Sequence, residues 1–212
     1  MVLLSGGIDS ATCLCLARRD GYSARALTIE IHGTASAELA AARLLGRRVG
    51  VIEHRFDRVP DLREAADIAS SKELSRKAVP PTYIPMKNAI FYSLAAAYAE
   101  EKGAGCIIGG HNADDRRVFA DTSDEFFANL QRAITASSPR LRKRGLKILR
   151  PLEDKSKPEV VTLAAALGVP LELTWSCHRA GQEHCWRCDG CRRRAEAFQA
   201  AGVPDPLASK KV

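Results

Sequence analysis

Short apolar runs alternate with longer segments of helical periodicity along the chain. The short runs are bounded by glycine, proline or charged residues and predict buried strands. They lie at residues 2–4, 23–31, 50–54, 106–110, 147–149 and 171–175. The longer segments are rich in alanine and leucine, and several end at a glycine, which predicts helices. They lie at residues 10–19, 38–45, 87–102, 124–136, 158–167 and 191–201.

This alternation predicts an α/β fold: a Rossmann-like parallel sheet of about five strands, with helices on both faces and right-handed crossovers. Ligands of such sheets bind beyond the carboxyl ends of the strands. Three polar or glycine-rich segments lie at the ends of predicted strands. They are Ser5-Gly6-Gly7, Glu30-Ile31-His32 and Gly109-Gly110-His111-Asn112. We therefore expect these segments to face one crevice.

The composition fits one globular domain with a small appendage. The chain has 212 residues, of which 46% are hydrophobic, and no apolar run approaches the roughly 18 residues of a membrane span. We expect a cytoplasmic protein with no secretory leader and no membrane contact. The net charge of +7 suits a protein that handles phosphates and permits contact with RNA. A solvated basic face explains this charge equally well.

The segment Ser-Gly-Gly-Ile-Asp-Ser, from Ser5 to Ser10, follows the first predicted strand and leads into the first helix. Its glycines let the backbone turn tightly and expose N–H groups, and a helix N-terminus attracts anions. The segment therefore predicts a cradle for phosphate or pyrophosphate. The plainer alternative is a strand–turn–helix in which Asp9 or Ser10 caps the helix. Only four residues precede the segment, which leaves open a natural start further upstream.

Four of the seven cysteines are clustered near the C-terminus. They are Cys177, Cys185, Cys188 and Cys191. Four thiolates suit a tetrahedral Zn²⁺ with no open position, which predicts a structural zinc site; an iron–sulfur cluster is the alternative. Cys13, Cys15 and Cys106 have apolar neighbours and are expected in the core. We expect a nucleotide-binding α/β domain over residues 1–175 and a zinc-binding segment over 176–212 packed on it.

A proline-rich stretch over residues 80–86 runs into the predicted helix that begins at Lys87. Prolines restrict the backbone of this stretch. Lys87 and Asn88 therefore lie at the start of the helix, where a cation and an amide can meet a phosphate or the edge of a base. A surface connector is the alternative interpretation.

The order of these motifs resembles the 7-cyano-7-deazaguanine synthase family, whose members are PP-loop ATP pyrophosphatases. The motifs that carry the resemblance cover nearly the whole chain. They are Ser5–Ser10, Tyr83-x-Pro85-x-Lys87-Asn88, Ile108-Gly109, Asn112-Ala113, Pro151-Leu152, Lys155-Ser156-Lys157, Ser176-Cys177, Cys185, Cys188-Asp189, Cys191, Arg194, Phe198, Ala201-Gly202 and Asp205-Pro206. The resemblance implies an adenine nucleotide alpha-hydrolase-like fold. It also implies ATP-dependent conversion of 7-carboxy-7-deazaguanine and ammonia to the nitrile preQ0 through adenylated intermediates, for queuosine or archaeosine synthesis.

The resemblance further implies ATP, Mg²⁺ and structural Zn²⁺ as cofactors, and it assigns three groups of residues. The nucleotide-binding group is Leu4, Ser5, Gly6, Gly7, Ile8, Asp9, Ser10, Asn88, Gly109 and Asn112. The catalytic group is Asp9, Ser10, Lys87 and Lys157. Lys157 would neutralise the departing pyrophosphate, and Asp9 is a plausible magnesium ligand. The substrate-facing group is Glu30, His32, Tyr83, Asp115, Asp121 and Glu125.

Two loops depart from the family pattern where the substrate is expected. Residues 31–34 read Ile-His-Gly-Thr in place of Tyr-Gly-Gln-Arg, and residues 115–123 lack most of the usual Pro-Asp-Cys-Arg element. Lys87 replaces a more usual arginine, which is a different donor. These changes leave open an enzyme that adenylates another substrate, such as a deazapurine-to-amine ligase or a tRNA thiolase. A non-catalytic zinc module that binds nucleic acid would have no use for the cradle. The expected partners are a small-molecule acid and ammonia, with a homodimer possible from the resemblance and tRNA contact possible but not expected.

Overall fold

The computed structural model describes residues 1–62, 83–179 and 181–208. Residues 80–82 of the proline-rich stretch and residues 209–212 of the expected C-terminal segment lie outside the described residues.

Five parallel strands form one sheet in the described part of the chain. They are β1 (Val2–Leu3), β2 (Ala26–Ile31), β3 (His54–Val59), β4 (Cys106–Ile108) and β5 (Lys147–Leu149). Their order is β3-β2-β1-β4-β5, and Val2 in the central strand lies opposite Ala26 on one side and Ile108 on the other. The winding direction changes between β1 and β4, and open parallel sheets form their ligand crevice at such a point. The predicted α/β fold is confirmed.

Eight α-helices connect and follow these strands within the described ranges. They are α1 (Ile8–Arg19), α2 (Ser36–Val49), α3 (Lys87–Lys102), α4 (Ala113–Val118), α5 (Asp124–Ser137), α6 (Pro139–Arg144), α7 (Lys157–Ala166) and α8 (Asp189–Ala201). The two short helices α4 and α6 were not predicted, because six residues rich in charge carry no apolar stripe. The side chains of Asn112 and Ser138 accept hydrogen bonds from the first turns of these helices and cap them.

Two apolar clusters lie on opposite faces of the sheet, because successive strand side chains point to opposite sides. One cluster joins Val2 and Leu4 to buried residues of α1, α2, α7 and α8, including Phe198. The other joins Leu27 and Ile107 to buried residues of α3, α5 and α6. The helix α8 therefore shares a core with the first half of the chain.

The third strand and the last predicted strand differ from expectation. The third strand was predicted at 50–54 and runs from His54 to Val59. Gly50 instead takes a left-handed conformation at the end of α2, and Val51 donates its N–H to Gly46 O, so this segment closes the helix. The run at 171–175 forms a 3₁₀ turn (Leu171–Leu173) and adds no strand to the sheet. Its buried residues, Leu171 and Thr174, are spaced by three as in a turn.

No helix in the described ranges is both long and apolar enough to cross a membrane.

Candidate functional site

The loop between β1 and α1 is organised by its two serines. Ser10 Oγ accepts hydrogen bonds from the backbone N–H of Ser5 (3.2 Å) and from Ser5 Oγ (3.1 Å), and donates to Gly7 O (3.0 Å). Gly7 N–H donates to Ser5 Oγ at 3.3 Å. Gly7 occupies the N-cap position of α1 without a side-chain cap, so neither Asp9 nor Ser10 serves as the cap. The N-terminus of α1 therefore remains available to an anion.

Gly6 has room for no side chain. Its φ of +96° lies in the region that favours glycine, and a Cβ built there would lie 2.6 Å from Glu38 O and 3.0 Å from Ala42 N in α2. On the other side of the loop, Gly6 O accepts the backbone N–H of Trp175 at 2.9 Å. Leu4 and Ile8, which flank the loop, are buried in the core at 1% and 2% exposure. The loop is thus held by α2, by the backbone of Trp175 and by the apolar core.

Asp9 lies in the first turn of α1 and meets two side chains from the second half of the chain. Lys157 Nζ lies 2.7 Å from both carboxylate oxygens of Asp9, and Asn112 Nδ2 donates to Asp9 Oδ2 at 3.2 Å. Lys157 is itself the first residue of α7, and its backbone N–H donates to Asp114 Oδ2 at 3.2 Å. The structure therefore brings together Asp9, Asn112 and Lys157, which the sequence placed in one site.

The loop after β4 presses directly on the start of α1. A Cβ on Gly110 would lie 2.9 Å from Asp9 C and 3.0 Å from Ser10 N. A Cβ on Gly109 would overlap the hydroxyl of the buried Tyr92. Asn112 then begins α4 through a capping box with Asp115: Asn112 Oδ1 accepts from Asp115 N–H (3.1 Å), and Asp115 Oδ2 accepts from Asn112 N–H (3.3 Å).

Lys87 begins α3 and lies among three titratable groups, two of which the sequence did not single out. Burial raises the pKa of Glu38 to about 7, and the charge of Lys87 opposes this shift. Burial and the cations Lys87 and Arg150 lower the pKa of His111 to about 3. Burial, followed by the charge of Asp9, raises the pKa of Asp115. The crevice therefore holds the ammonium of Lys87 near three side chains for which burial raises the free energy of the charged form.

Asn88 and Asp121 are paired with each other. Asn88 Nδ2 donates to Asp121 O at 2.9 Å, and Asp121 Oδ2 accepts the N–H of Asn88 at 3.2 Å. The side chain of Asn88 is only 4% exposed. This pair attaches the start of α3 to the loop that follows α4, so it supports the position of Lys87.

The remaining residues of the expected substrate group lie further apart. Glu30 pairs with Arg58 at 3.6 Å near the end of β2, and His32 is exposed beyond that strand. Tyr83 is half-buried, and Glu125 is exposed in the first turn of α5. The neighbouring Asp124, which the sequence did not single out, accepts two hydrogen bonds of 3.0 Å from Arg150.

The four clustered cysteines converge around one point. Their sulfurs all lie within 4.8 Å of one another, with 4.0 Å between Cys185 and Cys191 and 3.9 Å between Cys177 and Cys188. Tetrahedral Zn–S bonds of about 2.3 Å place sulfurs about 3.8 Å apart, so the set fits such an ion. Backbone N–H groups of Arg187 and Cys188 lower the pKa of Cys185 to about 6, which favours the thiolate.

The backbone segments on the two sides of the cysteine cluster lie close to each other. Gly190 lies with Asp189 in the first turn of α8, and a Cβ on Gly190 would overlap Ser176 O. His184 Nε2 accepts the N–H of Ser176 at 3.0 Å and so supports the cluster from outside it. Cys13 is fully buried and Cys15 and Cys106 are half-buried, which confirms the expectation of core positions.

Known proteins match this chain over nearly its whole length. Residues 1–202 match the family model described as "Queuosine biosynthesis protein QueC". The 7-cyano-7-deazaguanine synthase of Pseudomonas fluorescens (strain SBW25) is 38% identical over 97% of this chain and 96% of the relative. The enzyme of the same name from Thermoplasma acidophilum is 36% identical over 100% of this chain and 92% of the relative.

A solved structure shows the same fold at lower identity. The NMN synthetase of Francisella tularensis superposes with a TM-score of 0.51 at 19% identity, covering 95% of this chain and 76% of that one. Since the family model spans residues 1–202 and relatives above one-third identity align nearly end to end, this chain belongs to the QueC family.

Proposed function

We propose that this enzyme converts 7-carboxy-7-deazaguanine and ammonia to 7-cyano-7-deazaguanine (preQ0) at the cost of ATP. The observation that carries the proposal is the contact of Asp9 with Asn112 and Lys157 beside the glycine loop. It is supported by relatives that are named for this activity and align with the chain over nearly their full length. The product would serve queuosine or archaeosine synthesis.

The chemistry balances in two ATP-dependent stages. In the first, the substrate carboxylate attacks the α-phosphate of ATP and releases pyrophosphate, and ammonia then displaces AMP to give the amide and a proton. In the second, the amide oxygen attacks another ATP, pyrophosphate leaves and the nitrogen releases one of its two protons. Loss of AMP together with the second N–H proton then forms the nitrile. Both stages need the same groups, because each transfers an adenylyl group to oxygen and expels pyrophosphate.

The loop residues suit the phosphates of ATP. The free N–H groups at the start of α1 and the hydroxyls of Ser5 and Ser10 would bind phosphate oxygens, with Leu4 and Ile8 anchoring the loop and Gly6 and Gly7 permitting close approach. Lys157 would move from Asp9 toward the departing pyrophosphate and stabilise its developing charge. Asp9, once released, would be a ligand for Mg²⁺, which binds ATP phosphates through one or two carboxylates. Gly109 and Asn112 would form the opposite wall.

The cation Lys87 suits an acidic substrate. Its charge acts on Glu38, whose backbone lies against the nucleotide loop, and on Asp115 of α4. We propose that the carboxylate of a deazaguanine acid approaches the α-phosphate near this charge. Asn88 and Asp121 would hold this lysine in place. We propose Glu30, His32, Tyr83, Asp115 and Glu125 as substrate-facing residues, with Asp115 closest to the nucleotide through its contact with Asn112.

We further propose that the four cysteines bind Zn²⁺ and that this ion is structural. Four thiolates leave it no open position for a substrate. The ion would stabilise a C-terminal segment over residues 176–212, which we propose as a unit attached to the nucleotide-binding body over residues 1–175. The core that α8 shares with α1, α2 and α7 supports this proposal. We expect a cytoplasmic enzyme, with a homodimer as the oligomer to test first.

The test is a reconstituted reaction. Purified zinc-loaded protein is incubated with ATP, Mg²⁺, ammonia and 7-carboxy-7-deazaguanine, and the products are resolved by mass spectrometry. We expect preQ0 together with AMP and pyrophosphate. Release of AMP without the nitrile would assign the chain to a different acceptor or acid, consistent with its altered loops. Absence of ATP turnover from fully metallated protein would refute the proposal.

A further inference from the structure

Arg194 is a fully buried arginine in the middle of α8. It is 1% exposed, and its partner Asp205, in the segment after α8, has a side chain only 5% exposed. Arg194 Nε and Nη2 donate to the two oxygens of Asp205 at 2.7 and 2.9 Å, which is a bidentate pair. The guanidinium also lies over the ring of Phe198, 4.9 Å from its centroid. Burying an ion pair is costly, so the pair by itself is weak evidence for a stabilising role, and the other contacts of the guanidinium matter.

The other side of the guanidinium binds the segment that runs past the nucleotide loop. Arg194 Nη1 donates to Thr174 Oγ1 at 2.8 Å and lies 3.5 Å from Ser176 Oγ. Arg194 Nη2 donates to Leu171 O at 3.2 Å. The residue between these two hydroxyls is Trp175, whose backbone N–H donates to Gly6 O at 2.9 Å. Arg194 is thus two hydrogen bonds away from the loop that would bind ATP.

The direction of the Gly6 carbonyl matters because it belongs to the peptide unit that also carries the N–H of Gly7. Rotation of this unit would reorient the Gly7 N–H, which donates to Ser5 Oγ at 3.3 Å, and with it the serine hydroxyl and the neighbouring N–H groups that would bind phosphate. On the opposite side, Gly6 lies close to α2 at Glu38 O, so the loop is confined between α2 and Trp175. The indole of Trp175 is itself fixed, since Nε1 donates to Cys177 O at 2.7 Å.

We propose that Arg194 is a positioning residue for ATP: through Thr174 and Trp175 it fixes the Gly6 peptide and so orients the N–H groups of the loop. The inference rests on the proposed function in that the ligand is ATP. It adds that the C-terminal segment carrying Asp205 and the cysteines controls nucleotide affinity from outside the crevice.

The test compares the affinity of α,β-methylene-ATP for wild type and four variants of the full, metallated chain by isothermal titration calorimetry. Thr174→Val removes the hydroxyl that accepts from Arg194 and keeps the ion pair. We expect its dissociation constant to rise about tenfold, the effect of one lost hydrogen bond to a charged group. Thr174→Ser restores the hydroxyl and should bind within about twofold of wild type. Ile134→Val, in the other apolar cluster, is the control for lost stability and should bind as wild type does.

The readouts separate positioning from mere folding. In steady state, Thr174→Val should raise the KM for ATP more than it lowers kcat, with metal content unchanged; a smaller folded fraction would lower kcat alone. Arg194→Lys, which cannot span Asp205 and Thr174 together, should weaken binding in the same way. If wild type binds the analogue and Thr174→Val binds it equally well, the inference is overturned and the proposed function stands. If wild type binds no nucleotide, the proposed function fails and the inference fails with it.

Discussion

Lys157 places its ammonium 2.7 Å from both carboxylate oxygens of Asp9, across the gap between the first turns of α7 and α1. The charge of the lysine is therefore held at the mouth of the glycine loop. Asn112, the N-cap of α4, donates to the same carboxylate. Three helix N-termini are connected through a single aspartate.

Loss of Lys157 should damage catalysis far more than folding. In Lys157→Met we expect ATP-dependent pyrophosphate release to fall by roughly 100-fold or more, as when a donor to a developing anion is removed. The side chains of the pair are 27% and 19% exposed, so the free energy of unfolding should change by about 1 kcal/mol or less. The measurements are a coupled pyrophosphate assay and urea unfolding.

Two further variants sharpen this prediction. Arg55→Gln, which breaks an exposed pair with Asp57, is the matched control and should keep full activity. Asp9→Asn should also be inactive, and the double variant Asp9→Asn/Lys157→Met should be little worse than either single change, because the two residues act as a unit. Additive losses would mean that they act separately.

A methyl group on Gly110 should disturb the nucleotide site from the far wall. In Gly110→Ala the new Cβ would lie about 3 Å from backbone atoms of Asp9 and Ser10, and backbone cannot move aside as a flexible side chain can. We expect a loss of roughly 1–3 kcal/mol in the free energy of unfolding and weaker ATP binding. Thermal unfolding and titration with ATP measure the two effects.

Gly105 offers a matched control before β4. A Cβ there meets no atom within 4 Å, and its φ is not positive. Gly105→Ala should therefore be neutral, or stabilising by about 0.4–1 kcal/mol, with unchanged binding. Equal effects of the two substitutions would contradict the packing argument.

Glu38 should make stability fall as the pH rises toward neutrality. Burial raises its pKa from 4.5 to about 7, so the native protein keeps a proton that the unfolded chain has released. The stabilisation is complete below about pH 4.5 and is lost as the pH rises through about 7. Glu38→Gln removes this dependence on pH. The difference in the free energy of unfolding between wild type and the variant should therefore change by roughly 3 kcal/mol at most over that pH interval. Denaturant unfolding between pH 5 and pH 8 measures it; parallel curves would refute the shift.

Removal of one cysteine should release the metal and loosen α8. Cys188→Ser leaves three thiolates, and metal binding is part of the folding free energy of such a segment. We expect loss of one bound Zn²⁺ by elemental analysis and faster amide hydrogen exchange in α8. Cys106→Ser, a half-buried cysteine outside the cluster, is the control and should keep its metal. A brown, iron-containing wild type would instead identify an iron–sulfur cluster.

The parts of the site that could be predicted from the sequence are formed by residues close together along the chain. They are the glycine loop, the cysteine cluster and the start of α3 at Lys87, and the structure places each at its predicted position. Asp9 and Lys157 were assigned to one site by the resemblance to the family and not by spacing, because 148 positions separate them.

The parts that could not be predicted depend on packing between distant elements. Glu38 belongs to the first turn of an ordinary amphipathic helix, and the burial that raises its pKa comes from the packing of other elements around it, which the helix sequence does not reveal. β3 alternates charged and half-buried residues as an edge strand does, so its apolar signal is weaker than that of the loop before it. In the run at 171–175, Leu171 and Thr174 are buried and lie three residues apart, as in a turn. Five residues are too few to distinguish this spacing from the alternation of a strand.

The pair formed by Asp9 and Lys157 spans 148 positions of the chain. During synthesis, the glycine loop is therefore made long before its lysine, the Thr174–Ser176 segment and the cysteines. A chain made only as far as the loop presents an anion-binding segment that lacks both its cation and its support from Trp175. Tight nucleotide binding should therefore begin only after synthesis has passed these later residues.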